Sequence, residues 1–391
     1  MDVRPGERAL GALETLTGSK PAARLELAAF RLLPEGKRRS VVASGMRRQA
    51  RTCRTAGSPF YGQLLDSAAA DVERGGPCWR AVSGEMPRRT ALPLRFMGGV
   101  HRLVLAGEAP DLARFYPSAS ADPDPGDPWP AFSAAVAEHE HELRALVKQP
   151  NQTNEVRRSA ALACGFLLVA RETGLPLRLL ELGASAGLNL RWDRYAYRAG
   201  GESWGNPASP VVLDEFSGPC PVFDVHAEVV ERRGCDVIPI DAASPDAALT
   251  LRSLVWADQV DRLRLLEAAL SVAAGEPVEL ARESASSWLP RETGSLAPGA
   301  ATVAFHSYVE QFFGTVAARR IGAAIDSAGS RATPDAPFAY MKLEPEGKRL
   351  MLRLRLWPGG EERVVASCTH HGADVQWLLH DRTGPRKGVP A

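Results

Sequence analysis

The chain predicts an α/β protein in which a helical amino-terminal region precedes an open, mostly parallel sheet that closes with an antiparallel hairpin. Three observations carry this expectation. Residues 177–182 read as an apolar strand with Glu181 near its end, running into the small-residue turn Gly183-Ala184-Ser185-Ala186-Gly187. Beyond that turn, short apolar runs alternate with stretches of helical period, and the last two runs flank Pro358-Gly359-Gly360. Ahead of it, apolar residues recur at three- and four-residue spacing, the period of helices.

Residues 1–40 are rich in Arg, Leu and Ala without a clear period, and no chemistry is assigned to them. Over 41–105, Phe60, Leu64, Leu65 and Ala68, then Phe96, Val100, Leu103 and Val104, mark helices. Residues 122–130 alternate Asp, Pro and Gly, which reads as a solvent loop. A helix over 129–148 carries Glu138-His139-Glu140-His141-Glu142. Two histidines at spacing two cannot face one metal from a helix, so the run reads as a solvated face and no metal is expected.

The polar stretch 151–155 leads into a helix over 156–172, which Gly174 and Pro176 end. Thr153 or Asn154 suits the cap of that helix. Five polar residues exceed what a cap needs, so Asn154 and Glu155 are candidates to read a polar ligand if the stretch abuts the glycine turn. Further strands are expected at 211–214, within 227–240 with an end at Asp241, and at 277–280, 301–305 and 338–343. Helices are expected at 249–274 and 316–327, and 350–356 with 363–368 form the closing hairpin. This order is the one expected of a Rossmann-like sheet of the class I methyltransferase type. The division that follows is a helical cap over 1–150 and a sheet domain over 151–391.

Composition excludes several function classes. With 391 residues, 45% hydrophobic and 24% charged, the chain suits two domains, or one domain with a cap. A net charge of +1, from 47 basic and 46 acidic residues, provides no field to hold nucleic acid or an anionic membrane. Residues near the start mix Asp2, Arg4, Glu7 and Arg8, unlike a secretory signal, and no apolar run approaches the ~20 residues of a membrane span. The expectation is a cytoplasmic protein. Six cysteines stand far apart, which indicates neither a zinc knuckle nor a disulfide frame.

The glycine turn is the strongest chemical signal. Gly183 and Gly187 let backbone approach a ligand that a Cβ would exclude, and Glu181, two residues before the first glycine, is the acid an S-adenosylmethionine site uses. Ser185 and Asn189 lie in the same segment. The turn also fits Gly-x-Ser-x-Gly, the nucleophile elbow of α/β-hydrolases, with Asp241 and His306, His370 or His371 as candidate partners; the helical upstream region opposes that reading. A ribose-binding acid at the end of the next strand is missing, since Glu202 stands in a loop and Asp214 lies too far along the chain.

Ligands of parallel sheets sit beyond the carboxyl ends of strands, which selects His306-Ser307-Tyr308-Val309-Glu310 and Glu344-Pro345-Glu346. Pro345 holds its neighbours extended, so Glu344 and Glu346 point to the same side. Asp111, after Pro110, is either a helix cap or an acid supplied by the cap region, with Arg114, Tyr116 and His101 near it in sequence. His370 and His371 are expected to point to opposite faces of a strand.

The segments Gln152-Thr153-Asn154-Glu155, Leu180-Glu181-Leu182-Gly183-Ala184-Ser185-Ala186-Gly187-Leu188-Asn189-Leu190-Arg191-Trp192-Asp193, Val229-Val230-Glu231-Arg232-Arg233-Gly234-Cys235-Asp236 and Leu356-Trp357-Pro358-Gly359-Gly360 resemble a large bacterial family known only by a domain-of-unknown-function label. The likeness runs over roughly residues 41–379. It implies a methyltransferase-like fold and, from the branch with assigned chemistry, a natural-product enzyme that closes an aziridine in an azabicyclic amino acid. There the amine displaces a sulfate ester internally and no methyl donor is needed. The resemblance further implies a small-molecule substrate, free or carrier-protein-bound, and a sulfotransferase as partner.

Such a displacement needs a carboxylate or His to take the amine proton, and cations or donors for the sulfate. Asp111, Glu346, Glu344 and His306 are the catalytic candidates, with Arg114, Arg157 or Lys342 for the leaving group. Asn154, Glu155, Glu181, Gly183, Ser185, Gly187, Asn189 and Tyr308 are the binding candidates. No cofactor is expected on this reading. The alternatives are a small-molecule methyltransferase, which requires S-adenosylmethionine, and a hydrolase using Ser185.

Overall fold

The computed structural model describes residues 27–85, 91–149 and 152–379. Most of the opening Arg/Leu/Ala-rich segment, and Asn151 of the polar stretch, lie outside the described residues.

Along the chain come α1 (Glu35–Thr55), α2 (Pro59–Arg74), α3 (Pro77–Val82), α4 (Leu92–Ala106), α5 (Pro110–Ala113), α6 (Trp129–Glu138), α7 (Glu140–Leu146) and α8 (Arg158–Thr173). Strand β1 (Leu177–Leu182) follows, then a 3₁₀ helix (Asn189–Arg194), β2 (Ala196–Ala199), β3 (Glu202–Gly205), β4 (Val212–Leu213) and β5 (Val229–Asp236). The rest is α9 (Pro245–Ser253), α10 (Val260–Gly275), β6 (Glu279–Arg282), α11 (Ala285–Glu292), β7 (Ala301–Ser307), α12 (Thr315–Arg331), β8 (Phe338–Glu346), β9 (Arg349–Trp357), β10 (Glu362–Cys368) and β11 (Gln376–Trp377). No strand precedes Leu177 among the described residues.

These elements form two compact units. One holds residues up to Thr153 together with Asp241–Glu267; the other holds Asn154–Ile240 and the residues from Ala268 on. The described part of the first is helical. Leu64, Leu65, Ala68, Phe96, Val100, Leu103 and Val104, at the helical spacing read from the sequence, pack with Val42, Met46, Phe132 and Val136 into one core that also takes in Trp256 and Ala257. His101 is buried there, its ring nitrogens 3.1 Å from the Ser253 carbonyl and 2.7 Å from Ser118 Oγ. Its environment is apolar enough to push the imidazole down to about 4.

The second unit is built on an eight-stranded sheet, ordered β6-β5-β1-β7-β8-β9-β10-β11, and a three-stranded sheet, β3-β2-β4. Strands β6, β5, β1, β7 and β8 run parallel, and β9, β10 and β11 join antiparallel. β1 is buried on both faces, which is why Leu177, Leu179, Leu180 and Leu182 read as a continuous apolar run rather than an alternating one. One face packs Leu180, Leu182, Ala304 and Phe338 against Ile321 and Ile325 of α12. On the other, Phe166 of α8 stands edge-on to Phe305 at 5.0 Å and stacks on Trp192 at 4.8 Å.

Several expected elements take another form. The glycine turn leads into a 3₁₀ helix rather than an α-helix, with i→i+3 bonds from Leu190 and Arg191 N–H to the Gly187 and Leu188 carbonyls, which also accept from Arg191 Nη1 and the Tyr195 hydroxyl. The helix expected over 129–148 breaks at His139, and that over 249–274 is two helices separated by residues 254–259. The strand expected to reach Asp241 ends at Asp236, since Pro239 cannot continue it. The closing hairpin is a longer meander in which β8 itself turns back into β9.

Candidate functional site

The chain leaves β1 towards β5 on one side, and leaves β7 towards β8 on the other, so the sheet order reverses between β1 and β7. At such a point the loops after two adjacent strands part and leave a crevice beyond their carboxyl ends. Glu181 pairs with Phe305, so Ser307, two residues on, lies on the same face as Glu181. Both face towards α8, whose first turn carries Arg158 and Ser159.

The glycine turn at this crevice is occupied by its own protein. Gly183 and Ala184 donate to the Cys235 carbonyl at 2.8 and 3.0 Å, and Ser185 N–H donates to Asp236 Oδ2 at 2.9 Å. Ala186 and Leu188 donate to Asn154 Oδ1 at 3.2 and 3.1 Å, and Gly187 donates to Ala184 at 2.7 Å. Every backbone N–H from Gly183 to Leu188 is thus satisfied internally. The glycines are required by φ values of +70° and +66° and by crowding. A Cβ on Gly183 would meet Val309 Cγ1 at 2.8 Å, and one on Gly187 would meet Val278 Cγ2 at 3.0 Å. The turn therefore has no spare N–H donor between Gly183 and Leu188 to offer a ligand.

Asn154 therefore does abut the turn, and its carbonyl oxygen serves the turn's own N–H groups rather than capping α8, which has no side-chain cap. The strand-end acids behave differently. Asp236 ends β5, the strand beside β1, and occupies the position where the sequence offered only Glu202 and Asp214. Those two lie in and after the inserted three-stranded sheet. Both Asp236 oxygens accept backbone N–H groups, from Ser185 and Ile238.

Glu181 is 3% exposed, and its Oε2 has no hydrogen-bond partner. Burial, reinforced by the charge of Asp236, holds its carboxyl well above the usual range; a hydrogen bond with Asn189 and the charge of Arg191 offset this only in part. Asn189 is itself fixed by Ser159 Oγ at 2.7 Å. Ser185 has φ +54°, a conformation unusual for a side-chain-bearing residue, and its buried hydroxyl is unpartnered, with no histidine bonded to it. Ser307 Oγ and His370 Nε2 are likewise buried without partners.

The rim is cationic and aromatic. Tyr308, at φ +61°, lies under the Arg158 guanidinium at 4.8 Å and beside the His370 ring at 5.7 Å. Glu155 sits 3.2 Å from His371 Nδ1, and Arg157 pairs with Glu215 at 3.0 Å. His370 and His371 lie in the loop after β10 rather than in a strand.

His306 and Glu344 come together on the opposite face of the sheet. Glu344 Oε1 accepts from Val309 N–H at 2.8 Å and lies 2.8 Å from His306 Nδ1. Glu344 can only accept, which places the imidazole proton on Nδ1 and leaves Nε2 to accept from the Tyr340 hydroxyl at 2.7 Å. Tyr340 lines a cavity of about 460 Å³ with Lys342, Phe313 and Ile321. Glu346 is not beside this pair. It lies at the exposed end of the β8–β9 hairpin, held by Arg353 at 2.5 and 2.9 Å, which keeps its carboxyl below the usual range. The wider hollow of about 700 Å³, lined by Asp193, Trp204 and Asp224, lies by the amino end of β5, away from the strand ends that carry the acids.

Asp111 and Arg114 belong to the helical unit. Asp111 is exposed in the first turn of α5, and Arg114 is exposed with its guanidinium 4.7 Å from the Phe115 ring and 3.7 Å from Asp124. Reading the sequence alone missed Asp236, Arg158 and Tyr340. The signal for Asp236 was present, an acid three residues before Pro239.

Fold and site together define a mixed α/β protein with a mostly parallel sheet and a group of buried polar side chains, Glu181 and Ser185 among them, at the reversal of its strand order. The particular family follows from the sequence: residues 43–377 match the model described as uncharacterized protein conserved in bacteria (DUF2332), and the chain belongs to that family. No curated protein and no solved structure matches it. No described helix is long and apolar enough to cross a membrane.

Proposed function

We propose that the protein is a small-molecule enzyme whose α/β unit works without a methyl donor, closing a small nitrogen ring by internal displacement of a sulfate ester. The observation that carries the donor-free part is the glycine turn, whose N–H groups from Gly183 to Leu188 are all consumed within the protein. The ring-forming chemistry itself comes from the family resemblance. It needs little from the protein: a group to take the amine proton, and a site that holds nitrogen in line behind carbon.

In the crevice that group is Glu181. Its unpartnered Oε2 and raised carboxyl pKa make it a stronger base than an ordinary carboxylate, while Glu346 is neutralised by Arg353. Arg158 beside Tyr308 supplies positive charge for a leaving sulfate. The methyltransferase reading is favoured by one observation, an acid near the carboxyl end of each of the adjacent strands β1 and β5, Glu181 and Asp236.

Calorimetric titration with S-adenosylmethionine separates the two. Heat of binding at micromolar affinity would overturn the donor-free reading, and a flat titration is expected. On a sulfated vicinal amine, Glu181→Gln should slow ring formation about 10²–10⁴-fold with the fold retained, whereas Glu346→Gln should leave the rate unchanged.

A further inference from the structure

The run Glu138-His139-Glu140-His141-Glu142 is not one continuous helical face. α6 ends at Glu138 and α7 begins at Glu140, so His139 sits at the junction with φ −100° and ψ 25°. The junction brings His139 over the end of α4, where its Nε2 meets the Glu108 carbonyl. That end is fixed: Gly107 adopts φ +79° and the Glu108 N–H returns to the Leu103 carbonyl at 2.9 Å, a Schellman-type close. One ligand atom each of Glu108, His139 and Glu142 lies within 4.8 Å of the others.

We propose that these three side chains form a binding site for a divalent transition-metal ion, zinc by the chemistry of its donors. His139 Nε2 is 3.2 Å from the Glu108 backbone carbonyl, which can only accept, so the ring proton sits on Nε2 and Nδ1 presents a lone pair. That lone pair faces Glu142 Oε2 at 3.6 Å. Nδ1 and Oε2 thus stand near the separation that two ligand atoms of one ion adopt. Two donors on one tetrahedral zinc ion, at ~2.0–2.1 Å each, stand about 3.4 Å apart.

A backbone carbonyl that holds the remote ring N–H is the usual support of a metal-bound imidazole. Two carboxylates and an imidazole leave a fourth position for water, and the nitrogen donor selects zinc or nickel over magnesium or calcium. Glu140 takes no part, since Arg80 and Arg144 hold it. The ion would tie the end of α4 to the α6–α7 junction, both within the helical unit.

The test uses tag-free full-length protein and zinc chloride. Titration calorimetry should give one site, and saturating zinc should raise the melting temperature, while magnesium does neither. His139→Ala and Glu142→Gln should each weaken binding by at least about tenfold and abolish the thermal shift, with Glu140→Gln unchanged. Absence of zinc binding, or binding that both variants retain, overturns the proposal. Circular dichroism of the variants excludes misfolding as the cause of a loss.

Discussion

Two buried residues show how the same burial sets opposite titration behaviour. His101 is neutral in its apolar setting and titrates near 4 when folded, against ~6.5 in an unfolded chain. Above ~6.5 neither state takes up a proton and stability does not change. As pH falls from ~6.5 towards 4, only the unfolded chain is protonated, so stability is lost across that window, by up to ~3 kcal/mol. Melting curves between pH 7 and pH 4.5 should therefore fall more steeply for the wild type than for His101→Gln; parallel curves would refute the assignment. Glu181 shifts the other way, because burial penalises the charged form of both groups, and that form is the deprotonated one for a carboxyl but the protonated one for an imidazole. Ser185 is the third informative residue. A nucleophilic serine needs a base within hydrogen-bond reach, and this hydroxyl has no partner. The protein should resist labelling by a fluorophosphonate; stoichiometric labelling at Ser185 would restore the hydrolase.

Among the elements, the glycine turn departs most from what its sequence suggests. Its glycines meet demands of protein packing, with Val309 and Val278 filling the space a Cβ would take. Gly183→Ala should cost ~1–2 kcal/mol for the left-handed backbone, plus the crowding against Val309 Cγ1 at 2.8 Å. Adding Val309→Ala should recover only the crowding part, so the two changes are expected to be non-additive. Simple additivity in urea unfolding would show that Val309 does not fill the space. The β8–β9 hairpin shows the converse case. Glu344 and Glu346 do lie on one side of the strand, as alternation requires, yet the first is 6% exposed beside His306 and the second is exposed beside Arg353. Two residues of strand carry the chain from core to solvent.

For the whole molecule, each unit carries its own apolar core, and the six cysteines are buried free thiols. What the sequence by itself determined was the local and periodic part. Helical spacing before Leu177, the buried apolar strand with its acid, the glycine turn and the late antiparallel strands all follow from residue order, because side-chain period and turn chemistry act over a few residues. Asn154 beside the turn was also foreseeable, since its dense polar context exceeded what a cap needs. What only the tertiary structure decided was which groups remain unsatisfied. Asn154, Cys235 and Asp236 lie far from the turn along the chain yet consume its N–H groups. His139 becomes a ligand candidate only because a helix end 31 residues away offers its carbonyl. Hydrogen-bond satisfaction is a sum over spatial neighbours, and long-range pairing sets those neighbours, so a motif's chemistry is fixed only when the chain closes around it.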